Sequence, residues 1–164
     1  RQEARRAFSE VDIVINCAGE ALVKSLEEIT VADWDRIVNA NLKSVFLVMR
    51  EFLPAMMERR SGQLINVTSR AGIFGSARAS VYGAAKAGAI FFSRVWAKEA
   101  SQYGVKVLSI APGPMDTPMR WAATPDFARG RTISADVMAD FIVWVTSYPD
   151  VTFEETVIPV SLHY

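Results

Sequence analysis

Short apolar runs, separated by longer segments with helical spacing, constrain the fold of this chain more than any other feature. They span residues 11–15, 63–68, 105–111 and 156–160, and turn-forming Asn, Gly or Pro residues follow several of them. Runs of this length with many branched side chains predict buried strands rather than helices. Because they are continuously apolar rather than alternating, helices are expected to cover both faces of the sheet, as in parallel sheets.

The segments between these strands predict three helices. Thr30 with Asp33 is typical of a helix start, Gly104 of a helix end, and Ser134 with Asp136 of a second start. Pro54 is expected to kink the first helix. The predicted helices span residues 30–59, 76–103 and 134–145, with the turn at 59–62 ending the first.

Strands that alternate with helices indicate βαβ units with right-handed crossovers. A chain of 164 residues has room for one core and is too short to predict two. We therefore expect an α/β fold with a doubly wound parallel sheet of Rossmann type, in which residues 1–164 form one partial domain. Arg1–Phe8 reads as part of a helix followed at once by a strand, which suggests a sequence that begins inside a domain.

Composition excludes several classes of partner. The 18 Lys and Arg residues equal the 18 Asp and Glu residues, so no net charge would recruit nucleic acid or anionic lipid. No apolar run reaches the roughly 18 residues that a membrane-spanning helix needs. One cysteine and one histidine, His163, which we expect to be exposed and inert, predict neither an internal disulfide nor a metal centre. We expect a cytoplasmic protein.

Tyr82 and Lys86 stand four residues apart in the second predicted helix, hence on one face. A lysine charge close to a phenol stabilises the phenolate, which an acid/base tyrosine needs. Most pairs with this spacing are exposed neighbours. Here, however, small residues surround the pair (Gly83, Ala84, Ala85, Ala87, Gly88, Ala89), so we expect another element to pack closely against it.

Ser69 follows the second predicted strand, where ligands of open parallel sheets bind. Its hydroxyl is either a hydrogen-bond donor to a substrate oxygen or part of a turn. Asn41 lies within the first predicted helix, where asparagine is unfavourable unless it is exposed or its amide points inward to a polar network. Asn39 is the surface position by the same reasoning.

Two further turns reach the same edge of the sheet. Asn16-Cys17-Ala18-Gly19 follows the first strand, and its small residues would let a nucleotide approach the backbone. Cys17 is expected to be a small buried residue. The turn at 112–117, Pro-Gly-Pro-Met-Asp-Thr, closes the third strand. Either turn could also be a plain connection.

Taken in order, these motifs resemble the short-chain dehydrogenases/reductases. The resemblance rests on Asn-Cys-Ala-Gly, the mid-helix Asn41, Ser69 thirteen residues before Tyr82, Tyr-x-x-x-Lys, and Pro-Gly-x-x-x-Thr. It runs from Val11 to at least Met119. The tail, residues 149–159, is similar to the subset of serine and 3-hydroxy-acid dehydrogenases.

The resemblance implies hydride transfer between NAD(P) and a carbonyl or alcohol. Tyr82 would be the general acid/base, Lys86 would lower its pKa and bind the nicotinamide ribose, and Ser69 would polarise the carbonyl. Asn41 would anchor a water relay to Lys86. Besides Tyr82 and Lys86, the implied cofactor contacts are Asn16, Ala18, Gly19, Pro112, Gly113, Met115 and Thr117.

Two departures from the family pattern stand out. Cys17 replaces the second Asn of the usual Asn-Asn-Ala-Gly. The Gly-rich phosphate loop and the residue that selects NAD or NADP are absent, so we expect the first, nucleotide-binding βαβαβ portion to be missing. The cofactor is therefore NAD or NADP, with NADP slightly favoured by the resemblance of the tail.

Other functions remain open at this point. The chain could be a nucleotide-binding or regulatory module without activity, an inactive fragment, or an epimerase or dehydratase of the extended family. The loop Met119–Arg131 is expected to form the substrate lid, with Trp121 and Phe127 as an apolar wall. Arg120 or Arg131 would hold a carboxylate unless both are surface residues. The family resemblance further implies a homodimer or homotetramer built through the two long helices.

Overall fold

The fold is built on a parallel sheet. The structure is a computed structural model and describes residues 10–148 and 157–161. Four strands lie in the order β1-β2-β3-β6, all parallel, and β4 pairs with β5 in a separate short ladder. The strands of the described residues are β1 (Ile13–Asn16), β2 (Gln63–Val67), β3 (Lys106–Pro112), β4 (Met115–Asp116), β5 (Ile133–Ser134) and β6 (Val157–Val160). The predicted parallel α/β architecture is confirmed.

Helices connect the strands and cover the sheet. They are α1 (Val31–Val38), α2 (Ser44–Glu58), α3 (Ala71–Phe74), α4 (Ser80–Ser101), α5 (Pro118–Ala123) and α6 (Ala135–Ser147). A π-helical segment, Asn39–Lys43, joins α1 to α2, and single 3₁₀ turns lie at Leu26–Glu28 and Arg129–Arg131. The predicted caps are present: Thr30 Oγ1 accepts from Asp33 N at 3.0 Å, and Ser134 Oγ accepts from Val137 N at 3.1 Å.

Both faces of the sheet are buried by helices. Leu64 of β2 packs with Met49 and Leu53 of α2 on one face. Its neighbour Ile65 packs with Met138 of α6 on the other. Successive residues of a strand point to opposite faces, so a strand covered on both sides must be apolar throughout. This explains the continuous apolar run at residues 63–68.

The edge strand β1 departs from that pattern. Ile13 and Ile15 are 42% and 45% exposed, so the prediction of a fully buried first strand is wrong. Within the described residues β1 pairs with β2 alone, and one of its faces is open. Apolar composition predicted the strand, but the covering of its faces depends on neighbours that a strand's own residues do not specify.

Several boundaries differ from the predictions. The first predicted helix is divided by the π-helical segment, and its second part continues through Pro54 to Glu58. The long second helix starts at Ser80 instead of Ser76, because Gly75, with φ of +73°, ends the separate short helix α3. The predicted lid loop contains α5, which Thr117 caps and which Pro118 begins.

Some predictions fall outside the described residues: the helical reading of Arg1–Phe8, the tail motif at 151–155, and the exposure of His163. In the part of the chain that the structure describes, no helix is both long and apolar enough to cross a membrane.

Candidate active site

The carboxyl ends of the central strands open on one cavity of about 650 Å³. Four residues predicted to carry chemistry line it, although they come from the π-helical segment, the end of β2 and helix α4. They are Asn41, Ser69, Tyr82 and Lys86. Parallel strands bring distant segments of the sequence to a common edge, which is where ligands of such sheets bind.

Close packing of α3 on α4 explains the small residues around Tyr82 and Lys86. A Cβ atom on Gly72 would lie 2.7 Å from the backbone nitrogen of Ala87. On Gly83 it would lie 3.2 Å from the carbonyl oxygen of Ala71. Larger side chains at these positions would push α3 off α4. The expected close neighbour is therefore present.

Lys86 is buried, with only 5% of its surface exposed. Its Nζ donates a hydrogen bond to the carbonyl oxygen of Val67, at the end of β2, at 3.2 Å. Burial lowers the pKa of this ammonium group from 10.5 to about 8, because desolvation penalises the charged form. The nearby Cys17 acts in the opposite direction on this pKa. Below pH 8 a cation thus points into the cavity.

The phenol ring of Tyr82 lies close to Lys86, and the Nζ atom of Lys86 is 5.9 Å from the centre of that ring. Burial raises the pKa of the phenol above its usual value of 10, and this effect exceeds the opposing ones. A hydrogen bond with the Ser69 side chain and the charge of Arg120 both lower the pKa. The phenol therefore carries its proton at neutral pH. The lowering effect of Lys86 on the Tyr82 pKa, which the sequence predicts, stays a prediction.

Ser69 connects β2 to the acid/base pair. Its Oγ accepts a hydrogen bond from Ala71 N at 3.1 Å, at the start of α3, and its side chain also bonds with Tyr82. The turn-forming and the ligand-facing interpretations of Ser69 are thus compatible. One lone pair holds the turn while the hydroxyl lies beside the phenol in the cavity.

Asn41 is fully buried in the π-helical segment. Its Nδ2 donates to the carbonyl oxygens of Glu20 and Ile37 at 2.8 and 2.9 Å, and its Oδ1 accepts from Glu20 N at 3.3 Å. The inward interpretation of Asn41 is confirmed, and Asn39 is exposed as predicted. Single π-helical turns are frequent at functional sites, because the extra residue re-aims a side chain.

The strand-end residues divide into two groups. Gly19, Pro112, Gly113, Met115 and Thr117 line the same cavity as Tyr82. Asn16 and Ala18 are placed elsewhere: Ala18 is exposed, and Asn16 is buried with its Nδ2 directed at Asn66 Oδ1, 3.3 Å away.

The position of Cys17 differs from the prediction that it is a small buried residue. It is exposed and lines the cavity instead of filling the core, because Asn16 takes the inward position at the end of β1 and the next side chain points away. Partial burial raises the pKa of its thiol, and the charge of Lys86 lowers it.

The apolar wall of the cavity is also different from the predicted one. Trp121 donates its indole N–H to Asp116 at 2.7 Å, and Phe127 lies beneath the guanidinium group of Arg120. The wall is formed instead by other residues: Phe74, Met115, Met119, Met138 and Ile142. Met138 and Ile142 are four residues apart on α6, a spacing that could have been read as one helix face.

Comparison with known proteins identifies the family to which this chain belongs. The family model described as short chain dehydrogenase matches residues 1–127, which is most of the chain. The chain belongs to the short-chain dehydrogenase family. Enzymes of this family use NAD or NADP as cofactor and act on small molecules.

Curated short-chain dehydrogenases show the extent of the similarity. The chain is 36% identical over 130 residues to the 3-oxoacyl-[acyl-carrier-protein] reductase FabG of Thermotoga maritima, covering 77% of this chain and 51% of that protein. It is 38% identical over 129 residues to a D-beta-hydroxybutyrate dehydrogenase of Rhizobium meliloti, covering 79% and 50% respectively. The chain thus spans about half the length of these relatives.

Two solved structures match almost the whole chain in fold. Levodione reductase superimposes with a TM-score of 0.88 at 29% identity, covering 98% of this chain and 69% of that one. Actinorhodin polyketide ketoreductase has a TM-score of 0.87, covers the same shares of both chains, and is 23% identical, so this second match bears on the fold alone.

Proposed function

We propose that this chain carries the proton-transfer site of an NAD(P)-dependent oxidoreductase that interconverts a carbonyl compound and an alcohol. The observation that carries the proposal is the convergence of Ser69, Tyr82 and Lys86 on one cavity at the carboxyl ends of the parallel strands. A hydroxyl donor, a protonated phenol and a buried cation form a set that can hold and protonate a carbonyl oxygen.

The cavity suits the nicotinamide end of the cofactor. Lys86 Nζ uses one donor on Val67 and has two more for ribose hydroxyls, while Gly19 and Gly113 keep the walls free of side chains. Met115 and Thr117 would border the nicotinamide ring, and the exposed Ala18 would lie along the part of the cofactor outside this cavity. The side chain of Asn16 is turned towards Asn66, so the proposal gives it no contact with the cofactor. When bound, NAD(P) supplies or accepts the hydride. The cofactor is NAD or NADP, and the resemblance of the tail, residues 149–159, slightly favours NADP.

In reduction, Ser69 and Tyr82 share the carbonyl oxygen. The Ser69 hydroxyl donates a hydrogen bond that polarises the carbonyl, and Tyr82 transfers its proton to the oxygen as negative charge develops there. A pKa above 10 keeps this proton on Tyr82 at neutral pH, which suits a general acid. Lys86 stabilises the phenolate left behind, and Asn41 anchors the water that returns a proton through Lys86.

The assembly is part of the same proposal. Helices α2 and α4 each expose large apolar side chains, Phe46 and Leu47 on α2 and Phe91 and Val95 on α4. Apolar side chains of this size are buried when such helices pack against another subunit. We place the protein in the cytoplasm as a homodimer or homotetramer joined through these helices, with residues 1–164 belonging to one domain.

The test is oxidation of NADH and NADPH by the full chain with a panel of aliphatic and aromatic carbonyls. Tyr82→Phe should lower kcat by about 10²- to 10⁴-fold, the usual contribution of a positioned acid. Tyr103→Phe is the matched control, since Tyr103 lies beyond the end of α4 and outside the cavity wall.

Three results would decide the matter. Equal activity of Tyr82→Phe and the wild type would remove the proton-transfer role from Tyr82. Tight nucleotide binding without turnover of any carbonyl would favour a regulatory module. Loss of configuration or of water from a sugar nucleotide, without net change in the cofactor, would favour the epimerase or dehydratase class.

A further inference from the structure

The charge of the cavity wall is one-sided. Among the described residues that line it, Arg70, Lys86 and Arg120 are cationic and none is acidic. This contrasts with the chain as a whole, in which the two signs of charge are equal in number. A concave, partly apolar site with one sign of charge attracts ligands of the opposite sign.

Arg120 is held in place on the lid. It belongs to α5, whose cap, Thr117, accepts from its backbone N–H at 3.3 Å. The guanidinium donates through Nη1 to Thr124 Oγ1 at 3.1 Å and stacks 5.1 Å above the ring of Phe127. An arginine fixed by a hydrogen bond and a ring face loses little further freedom when it binds a ligand.

The guanidinium group also has unused donors. Arginine carries five N–H donors, and within residues 10–148 and 157–161 Thr124 is the side chain that accepts from this one. No carboxylate of the described residues lies within salt-bridge distance of Arg120, and the neighbouring Asp116 is bonded by the Trp121 indole. A half-buried cation without a protein counter-ion is suited to bind an anion from outside.

We propose that Arg120 is a specificity-determining residue that binds the carboxylate of an oxo-acid or hydroxy-acid substrate. In this arrangement the carbonyl oxygen meets Ser69 and Tyr82, the carboxylate pairs with Arg120, and the carbon chain between them lies against Met119 and Met138. The proposal rests on the proposed function of the same cavity, and it narrows the substrate to anionic carbonyl compounds.

The position of Arg120 favours the substrate over the cofactor as the source of the anion. Arg120 lines the same cavity as Ser69 and Tyr82, and its charge lowers the pKa of the Tyr82 phenol. The Nζ atom of Lys86, by contrast, is bonded to the carbonyl oxygen of Val67, at the end of β2. The phosphates of the cofactor are the alternative partner of Arg120, and the experiment separates the two.

The experiment compares acids with their neutral esters. Pyruvate, acetoacetate and levulinate, each with its methyl ester, are assayed for kcat/KM and, by calorimetry, for binding to the wild type and to Arg120→Gln. We expect the wild type to prefer at least one acid over its ester, and Arg120→Gln to lose about 10- to 100-fold on that acid, as for a hydrogen bond to a charged group. The ester should change less than about threefold in the same variant.

Two further variants sharpen the comparison. Arg120→Lys should restore part of the preference for the acid, because it keeps the charge but not the planar pair of donors. Arg50→Gln removes an exposed arginine of α2 that stacks on Phe46 outside the cavity, and it should behave as the wild type.

Each remaining outcome has a distinct meaning. The inference is wrong if the wild type has no preference for any acid, or if Arg120→Gln retains it. It is equally wrong if the variant weakens NADPH binding and leaves the acid preference intact, since Arg120 would then hold a cofactor phosphate. If no carbonyl is turned over, but acids bind more tightly than esters and only through Arg120, the proposed function fails while the anion site stands.

Discussion

The backbone of Gly19 packs directly on the side chain of Asn41: a Cβ atom on Gly19 would lie 2.7 Å from Asn41 Oδ1. The same atom would lie 3.3 Å from Lys86 Nζ. Gly19, in the turn after β1, thus fixes the approach of one side chain from the π-helical segment and of another from α4. The site depends on the absence of a side chain as much as on the side chains present.

Replacing Gly19 with alanine should therefore disturb both neighbours. Asn41 is fully buried and cannot move freely, so we expect Gly19→Ala to lower the free energy of unfolding by about 1–3 kcal/mol, the usual cost of overpacking. Urea denaturation measures this. Gly130→Ala is the matched control, because a Cβ atom there meets no heavy atom within 4 Å. Equal effects of the two substitutions would mean that Gly19 is not tightly packed.

A series of buried side-chain hydrogen bonds connects β1, β2 and α4. Asn16 Nδ2 donates to Asn66 Oδ1 at 3.3 Å, Asn66 Nδ2 donates to Ser93 Oγ at 2.9 Å, and Ser93 donates to the carbonyl oxygen of Ala89 at 2.7 Å. Each member is almost completely buried, so each lost partner leaves a desolvated polar group.

Ser93→Ala should consequently cost about 1–3 kcal/mol of unfolding free energy, the penalty for leaving the Asn66 amide without its oxygen acceptor. Thermal and urea unfolding both report it. Ser101→Ala, at the exposed end of the same helix, removes a similar bond to Lys98 O and should change stability by less than about 0.5 kcal/mol. A silent Ser93→Ala would show that water replaces the serine hydroxyl.

The parallel sheet and the acid/base pair could be predicted from the sequence because both depend on short-range regularities. Continuous apolar runs identify strands covered on both faces, and a spacing of four places Tyr82 and Lys86 on one side of a helix. The turn residues after each strand could then be assigned to one edge. Ser69 and Gly19 reached the cavity by that rule, whereas Asn16 did not.

What the sequence left open or predicted wrongly depends on which partner each side chain finds. The sequence allowed an exposed or an inward Asn41, and the backbone of Glu20, distant in sequence, holds it inward. Cys17 was expected to be buried, but its neighbour Asn16 takes the inward position. The lid was assigned to the wrong aromatic residues because Trp121 and Phe127 find partners within their own segment. Apolar character alone gives no information about such competition.

Association through α2 and α4 can be tested at Phe91, which is 65% exposed on α4. We expect Phe91→Glu to convert a homodimer or homotetramer to smaller species, because a carboxylate would have to be buried at the interface. Size-exclusion chromatography with light scattering measures the mass. Val31→Glu, on the exposed start of α1, is the control and should leave the mass unchanged. A mass that is the same for Phe91→Glu and the wild type would place the interface elsewhere.

Lys86 links the site to the stability of the fold through pH. Its pKa is about 8 in the folded chain and 10.5 when unperturbed, so the buried charge costs about 3 kcal/mol wherever both states are protonated. As the pH rises from 8 towards 10.5, the folded chain has lost this proton while the unfolded chain still binds it. The free energy of unfolding of the wild type should therefore rise over this interval.

Lys86→Met removes the charge and keeps an apolar stem of similar length. At pH 7 we expect it to be more stable than the wild type by about 1–3 kcal/mol, since the lost bond to the Val67 carbonyl offsets part of the gain. The advantage should shrink as the pH approaches 10, which urea denaturation at pH 7, 8, 9 and 10 would follow. Lys98→Met, on the exposed side of the same helix, should show a constant difference. A pH-independent difference for Lys86→Met as well would mean that Lys86 keeps an ordinary pKa, and that the cation at the floor of the cavity is solvated rather than buried.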